Sequence, residues 1–477
     1  MKKVWFIVLG SLGILGLLGG GCGWSAAGVM RRMLNNNLGD HKLFNWCTSG
    51  LVDLDRLLDN KTYYVMLQNN TELRATGGFM GSYAKINVQC SMFNVQCGVK
   101  SIDIQDIYVP DGQLPGHVEP PYPVQEAFKI GYWWLRDSNW DPDFASSAAT
   151  IAWFLKQGNE PEPAGIVAIN QTTVAKIIDV LGGVKVLDFD KTVTGQNLYS
   201  LAQRYAEEGF FPGSTKKKDF LGSVGGALVR KVKDAGLVEL GKLGKLVWDE
   251  LRKKQILVWI KDAEIRRWGG RLEDGWDKKS DYLYIVESNL GANKANCCMD
   301  RDVRQEIENN KVKLTITWKN ENEFDATKPP VFWGGQYVNY NRVVIPSSHK
   351  IQAVKLQGRE LRLATEKDFV MPNSLRQEMS TDMYNVEERG DLQIIGFWAN
   401  VPAKKTITAE LQYLTPDPSP NLGEGDKKRE IFFGEGNQYK ILIKRQPGIE
   451  GFDYKLIYNG KLAASKWIDR DKIIGVK

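Results

Sequence analysis

Two lysines, Lys2 and Lys3, stand before a run from Val4 to about Cys22 that contains no charged residue. At about 1.5 Å per residue, a helix from Val4 to Trp24 is roughly 30 Å long, the thickness of a bilayer's hydrocarbon core. Leu, Ile, Val and Phe in such a run each favour insertion, and its many glycines are tolerated better in lipid than in water. Residues 1–24 are therefore expected to form one membrane-spanning segment, with the N-terminus cytoplasmic and the bulk of the chain extracytoplasmic. Arg31 and Arg32, beyond the run, oppose that orientation mildly. Three readings stay open: a retained anchor, a signal peptide cut near Ser25-Ala26-Ala27, and a lipoprotein signal cut before Cys22. All three place the body of the chain outside the cytoplasm.

The 477 residues are 43% hydrophobic and 25% charged, which excludes wholesale disorder and fibrous repeats. That length suggests about three domains. Lys+Arg 63 against Asp+Glu 57 leaves a net charge of +6 with no long basic tract, so nucleic acid is not an expected partner. Three scattered histidines, His41, His117 and His349, argue against a histidine-built metal site or triad. Cys90 and Cys97 each end a copy of Asn-Val-Gln-Cys in alternating sequence, so they are expected to face each other across a hairpin. Cys297 and Cys298 are adjacent. Either they bond to each other or one pairs with Cys47.

Hydrophobic periodicity divides the chain. Residues 25–60 read as a juxtamembrane linker with a short amphipathic helix around Leu51 to Leu58. Residues 61–305 read as an α/β domain, a mixed sheet with flanking helices. Within it, Tyr63 to Leu67 is a buried strand, and Gly81 to Ile107 holds at least two more. Phe144, Ala148, Ile151, Ala152 and Leu155 share one helix face. Ala164 to Ile169, Val174 to Leu181 and Val184 to Leu187 read as strand, helix and strand, a βαβ unit with parallel pairing. A long helical stretch follows Lys216-Lys217-Lys218, and strands are expected at Ile256 to Ile260 and Asp281 to Val286. From Val312 the period changes to two. Residues 306–416 are expected to form an all-β, immunoglobulin-like sandwich, 417–429 a linker, and 430–477 a small C-terminal β module.

Three stretches carry candidate chemistry. Gln68 to Phe79 lies at the carboxyl end of the first strand, where ligands collect in α/β sheets. There Arg74 is placed to grip a phosphate bidentately, Gly77 and Gly78 to bring backbone N–H groups close, and Asn69, Asn70, Glu72 and Thr76 to line the site. The competing reading is a solvated turn with a Glu72–Arg74 ion pair. The second stretch, Leu135 to Phe144, precedes a helix N-terminus that favours anions. Arg136 would face phosphate beside Asp137 and Asn139. Asp141 and Asp143 are the candidate magnesium ligands, or else one of them caps the helix. The third is Lys216 and Lys217, substrate-binding cations or a solvated charge run. Tyr132, Trp133 and Trp134 line a hydrophobic slot or pack as core. Gly236 to Lys242 fits a phosphate-loop spacing, but Leu243 replaces the required hydroxyl and the segment reads as amphipathic helix.

The stretch Asn69-Asn70-Thr71-Glu72-Leu73-Arg74-Ala75-Thr76-Gly77-Gly78-Phe79-Met80-Gly81-Ser82-Tyr83 resembles the signature of the DUF4012 family, bacterial membrane-anchored proteins of unassigned activity. So do Leu135 to Phe144, Ser288-Asn289-Leu290-Gly291-Ala292-Asn293-Lys294 with Arg301, Tyr340 to Pro346, and Lys444-Arg445-Gln446-Pro447-Gly448. A weaker likeness, at Gly165 to Asn170 and Ile177 to Val186, is to the LytR-CpsA-Psr family, whose fold the α/β domain would then share. That family transfers glycopolymers from a polyprenyl-pyrophosphate carrier onto the cell wall, using arginines, an aspartate and magnesium. By that likeness Arg74 takes the place of the first pyrophosphate arginine.

Two functions follow as expectations. One is a phosphotransferase acting on a polyprenyl-pyrophosphate-linked glycan, with Arg74, Arg136 and Asp137 as catalytic residues and magnesium as cofactor. The other is a non-catalytic envelope protein that binds glycan. Its 15 Trp and 17 Tyr suit sugar stacking, and Ala75-Thr76-Gly77 after Arg74 lacks the transferase family's aspartate.

Overall fold

The structure is a computed structural model that describes residues 60–91, 96–207, 216–261, 270–323, 334–370, 380–416, 433–434 and 438–476. The expected membrane segment, the linker with its short helix, and the linker at 417–429 lie outside the described residues. Among the described residues, no helix is long and apolar enough to cross a membrane.

The first half is a sheet flanked by helices. Its strands are β1 (Lys61–Asn69), β2 (Phe79–Ser91), β3 (Gln96–Asp106), β4 (Gly165–Asn170) and, after the small pair β5 (Val184–Val186) and β6 (Lys191–Val193), β7 (Ile256–Ile260). The order is β3-β2-β1-β4-β7, with β1 and β4 parallel and the other neighbours antiparallel. Aromatic and β-branched residues dominate β1, and alternate side chains enter opposite layers. Tyr63 and Val65 meet Val167, Ile169 and Val258 on one side. Tyr64 and Met66 meet Ile166, Ala168 and Leu257 on the other. Each fully buried side chain of this size contributes about 1.5–3 kcal/mol.

The helices are α1 (Tyr108–Asp111), α2 (Tyr122–Phe128), α3 (Phe144–Gln157), α4 (Gln171–Val180), α5 (Leu198–Glu207), α6 (Lys216–Asp234) and α7 (Leu237–Arg252). The apolar face expected of α3 covers the Tyr64 layer through Phe144, Ala148, Ile151, Phe154 and Leu155. Val174 and Ile177 of α4 with Val247 and Leu251 of α7 cover the other. The expected βαβ unit forms only in part. β4 and α4 stand as expected, but β5 leaves the main sheet and pairs antiparallel with β6. Val184, Val186 and Val193 bury themselves against Phe220, Val224 and Ala227 of α6 instead. The parallel pair is β1 with β4. Gly236 to Lys242 opens α7, with the Gly236 N–H donating to Glu239 Oε2 at 2.9 Å, so it cradles no phosphate. The β2–β3 register sets Cys90 opposite Cys97.

The second half is built of several sheets, two of them large and face to face. In chain order its strands are β8 (Asp281–Asn289), β9 (Met299–Glu308), β10 (Lys311–Asn320), β11 (Asn339–Pro346), β12 (Lys350–Leu356), β13 (Arg359–Glu360), β14 (Arg362–Leu363) and β15 (Met383–Arg389). They continue as β16 (Leu392–Trp398), β17 (Thr406–Leu414), β18 (Phe433–Gly434), β19 (Gln438–Lys444), β20 (Phe452–Tyr458), β21 (Lys461–Ile468) and β22 (Lys472–Gly475). One sheet runs β13-β12-β17-β10-β9-β20-β21; the other runs β14-β15-β16-β11-β8-β19, with β18 and β22 alongside β19. Leu283, Val343, Ile395 and Ile441 meet Val303, Leu314, Leu411 and Tyr454 in the core between them.

Two expected boundaries move. β8 and β9, assigned by sequence to the α/β domain, belong to this sandwich. Residues 430–477 are no separate module either: β19 pairs parallel with β8, and β20 pairs parallel with β9. Without them each sheet would end in an open edge there. Cys297 and Cys298 form a vicinal disulfide.

The halves are locked by the β1–β2 loop. Leu73 is a member of the sandwich core. Its carbonyl accepts from Asn289 N at 2.9 Å, and the Thr71 carbonyl accepts from Asn296 N at 3.1 Å. Asn70 Nδ2 donates to Gly448 O at 3.1 Å. The approach is close enough that a Cβ on Gly448, whose φ is +88°, would collide with the Gly77 carbonyl. Gly448→Ala is therefore expected to lower unfolding free energy by about 2–3 kcal/mol. Urea unfolding of a chain beginning at residue 60 measures this, and an unchanged midpoint would contradict the close approach.

Candidate functional site

The loop after β1 is closed by its own backbone. Asn69 Oδ1 accepts from Thr71 N at 3.1 Å and from Thr71 Oγ1 at 2.7 Å. Gly77 N donates to Arg74 O at 3.0 Å, and Phe79 N to Glu72 O at 2.9 Å. This folds Arg74 inward, to 3% exposure. Its Nη1 donates to the carbonyls of Leu73 (3.2 Å) and Asn289, and its Nη2 lies 3.4 Å from Asp137 Oδ1. The Arg74 carbonyl accepts from Gln446 Nε2 at 3.0 Å. The Arg74 Nε–H is buried with no partner among the described residues.

Arg136 reaches the same carboxylate from outside. A single 3-10 turn at Leu135–Asp137 buries Leu135 and Asp137 and leaves Arg136 at 22% exposure. Its Nε lies 3.7 Å from Asp137 Oδ2, and its Nη1 donates to Asp111 Oδ2 at 2.8 Å. The guanidinium packs on the rings of Trp134 (4.9 Å) and Tyr108 (5.1 Å), contacts worth about 0.5–2 kcal/mol. Asp111 Oδ1 accepts from Leu135 N at 2.7 Å. Burial pushes the Asp111 carboxyl up to about 6, although Arg136 pulls it down.

Of the two expected lysines, one turns inward. Lys217 Nζ donates to Gly81 O at 3.3 Å, whereas Lys216 is exposed at the start of α6. Desolvation holds the Lys217 ammonium below its ordinary range, against the pull of Asp106 and Glu72. Asp106 and Glu72 also act on Tyr108, on which Arg136 packs, so the lysine and the arginine share one electrostatic neighbourhood. Glu72 pairs with Lys294 at 3.5 Å rather than with Arg74.

The other expected residues hold the frame. Thr76 Oγ1 accepts from Gln68 Nε2 (2.7 Å) and Asn139 Nδ2 (3.0 Å), and Asn139 Nδ2 also reaches Gly78 O at 2.9 Å. A Cβ on Gly77 would collide with Asn170, and one on Gly78 with the Asn69 backbone. The two glycines thus serve close packing, and the Gly77 N–H is taken by the Arg74 carbonyl. Asn70 is taken by Gly448. Asp143 caps α3, accepting from Ser146 N at 3.0 Å, and its other oxygen accepts from Leu272 N at 3.1 Å. Asp141 grips Arg389 Nη1 with both oxygens, at 2.7 and 2.8 Å. Neither aspartate fits the metal role expected of it. Among the described residues, no group of three or more His, Cys, Asp or Glu is placed to hold a metal ion. Trp133 is core, donating to Asp137 O at 3.2 Å and packing on Phe154. Tyr132 is 53% exposed beside Trp134.

Sequence reasoning missed Tyr108, Asp111, Lys294 and Gln446. Lys294 and Gln446 stood inside quoted motifs. Asp111 stood outside the three candidate stretches and gave no signal.

Truncating one member of a buried pair costs about 3–5 kcal/mol, so Arg74→Met should destabilise by roughly that amount. Arg136→Gln leaves Asp111 its backbone donor and should cost about 1 kcal/mol. Equal losses in urea unfolding would contradict the burial contrast. Asp111 also sets a pH trend. Its folded-state carboxyl, at about 6, keeps its proton where the unfolded chain, at about 3.9, has lost it. Stability from this group is full below about 4 and falls as pH rises through about 6. Asp111→Asn should flatten that decline; parallel profiles would contradict it.

A search of curated proteins finds no match. Among solved structures, the chain is similar to Bacillus subtilis TagU at 13% identity, covering 42% of this chain and 76% of that one, with a TM-score of 0.26. It is similar to B. subtilis TagV at 13% identity, 42% and 75% coverage and a TM-score of 0.27. It is also similar to a Streptococcus agalactiae protein, gbs0355, at 10% identity, 44% and 71% coverage and a TM-score of 0.30. TagU and TagV are LytR-CpsA-Psr family proteins. Residues 59–206, which contain both the β1–β2 loop and the Arg136 turn, match the family described as "Protein of unknown function (DUF4012)".

Proposed function

We propose that this is a membrane-anchored, extracytoplasmic envelope protein that captures the pyrophosphate end of a polyprenyl-pyrophosphate-linked glycan on its Arg136 face. One observation carries the reading: Arg136 stands at the surface between two aromatic rings while Arg74 balances Asp137 from within. An arriving phosphate therefore meets a guanidinium whose carboxylate partner is already shared, and guanidinium suits bidentate phosphate contacts. Lys217, its charge disfavoured by desolvation, would gain from a nearby anion. The exposed rings of Tyr108 and Tyr132 offer apolar surface for the lipid or the sugar. The uncharged run from Val4 to Cys22 supports the anchor.

Transfer onto an acceptor would form a bond from the acceptor hydroxyl oxygen to the phosphorus nearest the sugar and break the P–O–P bridge, the hydroxyl proton passing to the departing polyprenyl phosphate. Arg136 and Lys217 would neutralise that leaving group. No step passes through magnesium, because Asp141 and Asp143 are committed to Arg389, Leu272 N and the start of α3. Capture without turnover is the second reading. It is favoured by Asp111 and Asp137, whose oxygens already serve Arg136, Arg74 and the Leu135 N–H.

Binding to decaprenyl pyrophosphate in nanodiscs tests the proposal. Arg136→Gln should weaken it about tenfold, or ~1.4 kcal/mol, while decaprenol binds neither protein. Equal binding by variant and wild type would sink the reading. Polyprenyl phosphate released from a glycan-loaded lipid separates transfer from capture alone.

A further inference from the structure

Between the start of α2, the turn before α3 and the outer face of β11, β15 and β16 lies a cleft of about 210 Å³. Tyr122 and Trp140 of the α/β half face Tyr340, Arg342, Asn385 and Arg389 of the sandwich across it. Ligand sites favour such junctions between domains, and apolar walls with a few convergent polar groups are their usual makeup. At this volume the cleft fits a single ring, not a long chain.

Its polar groups are fixed in advance. Arg389 is held on one side by Asp141, at 2.7 and 2.8 Å, and on the other by Glu387, at 2.7 and 3.1 Å. The Tyr340 hydroxyl donates to Asn385 Oδ1 at 2.5 Å. Gly396 leaves the space these two need, since a Cβ there would collide with both. Arg342 is 4% exposed. Its Nη1 donates to Trp140 O at 2.8 Å and its Nη2 to Ser288 Oγ at 2.9 Å, and the Trp140 ring lies 4.1 Å away. The Arg342 Nε–H, however, has no partner among the described residues. Arg342 lines the cleft, and a buried orphan donor on it is costly unless an acceptor satisfies it.

The charges around the cleft balance: Asp141 and Glu387 oppose Arg342 and Arg389. An anion would find no surplus of positive charge. A polyol, which both donates and accepts and has an apolar ring face for Trp140 and the tyrosines, matches the lining. We infer that this cleft binds one ring of a neutral saccharide. The site differs from the Arg136 face and does not rest on pyrophosphate capture.

Saturation-transfer NMR and calorimetry on the full chain would use tetra-N-acetylchitotetraose, maltotetraose and trigalacturonate as probes. One neutral probe is expected to bind. Asn385→Ala and Glu387→Ala, whose side chains stand at the half-exposed or exposed lip, should each weaken it at least fivefold, measured well below each variant's own thermal midpoint. Arg136→Gln should leave saccharide binding intact. Binding by neither neutral probe, equal binding by both lip variants and wild type, or a preference for trigalacturonate would overturn the inference.

Discussion

Everything in this molecule depends on a loop that leaves one core to complete another. Leu73 belongs by sequence to the turn after β1, yet its side chain packs among the sandwich strands. The backbone around it is read by Asn289, Asn296 and Gln446. A loop buried in this way must have its carbonyls satisfied from the partner domain. That demand explains why amides crowd the motifs on both sides. Gln446 exchanges two hydrogen bonds with the Glu287 backbone and spans to Arg74 O. Glu287 in turn holds Arg301 through both oxygens. The motifs at Asn69, Ser288, Arg301 and Gln446 are thus parts of one interdomain lattice.

The lattice sets the electrostatics of the surface above it. Burying Asp137 unpaired would be expensive, and two guanidiniums from different layers remove that cost. Arg74 serves from inside and is fixed by carbonyls. Arg136 serves from outside and retains exposed surface. The two arginines thus differ in exposure: Arg74 is 3% exposed and Arg136 keeps 22%. That difference is why the proposal rests on the turn after Trp134 and not on the carboxyl end of β1, where the density of polar residues pointed.

Much of this was legible in the chain. The aromatic and β-branched run at Tyr63 to Leu67 and the spacing of Phe144, Ile151 and Leu155 fixed the sheet and one covering helix. Period-two alternation after Val312 marked a region of β-sheets, though β8 and β9 of those sheets lie before it. What could not be read was pairing at a distance. Nothing local at Ile441 or Tyr454 says that these strands run parallel to β8 and β9, which lie more than a hundred residues earlier, so the C-terminal residues looked like a module of their own. The same blindness hid the burial of Arg74. An arginine beside two glycines and two asparagines has the composition of a phosphate loop, and only the partner domain shows that it is a strut. Asp143, by contrast, capped its helix as one of the two local readings required.

The central claim is that Arg136 meets the ligand and Arg74 does not. A crystal structure of residues 60–477 soaked in inorganic pyrophosphate tests it most directly. The account predicts density against the Arg136 guanidinium, with Arg74 still on the Asn289 carbonyl and Asp137. Density that draws Arg74 away from Asp137, with Arg136 left on Asp111, would contradict it.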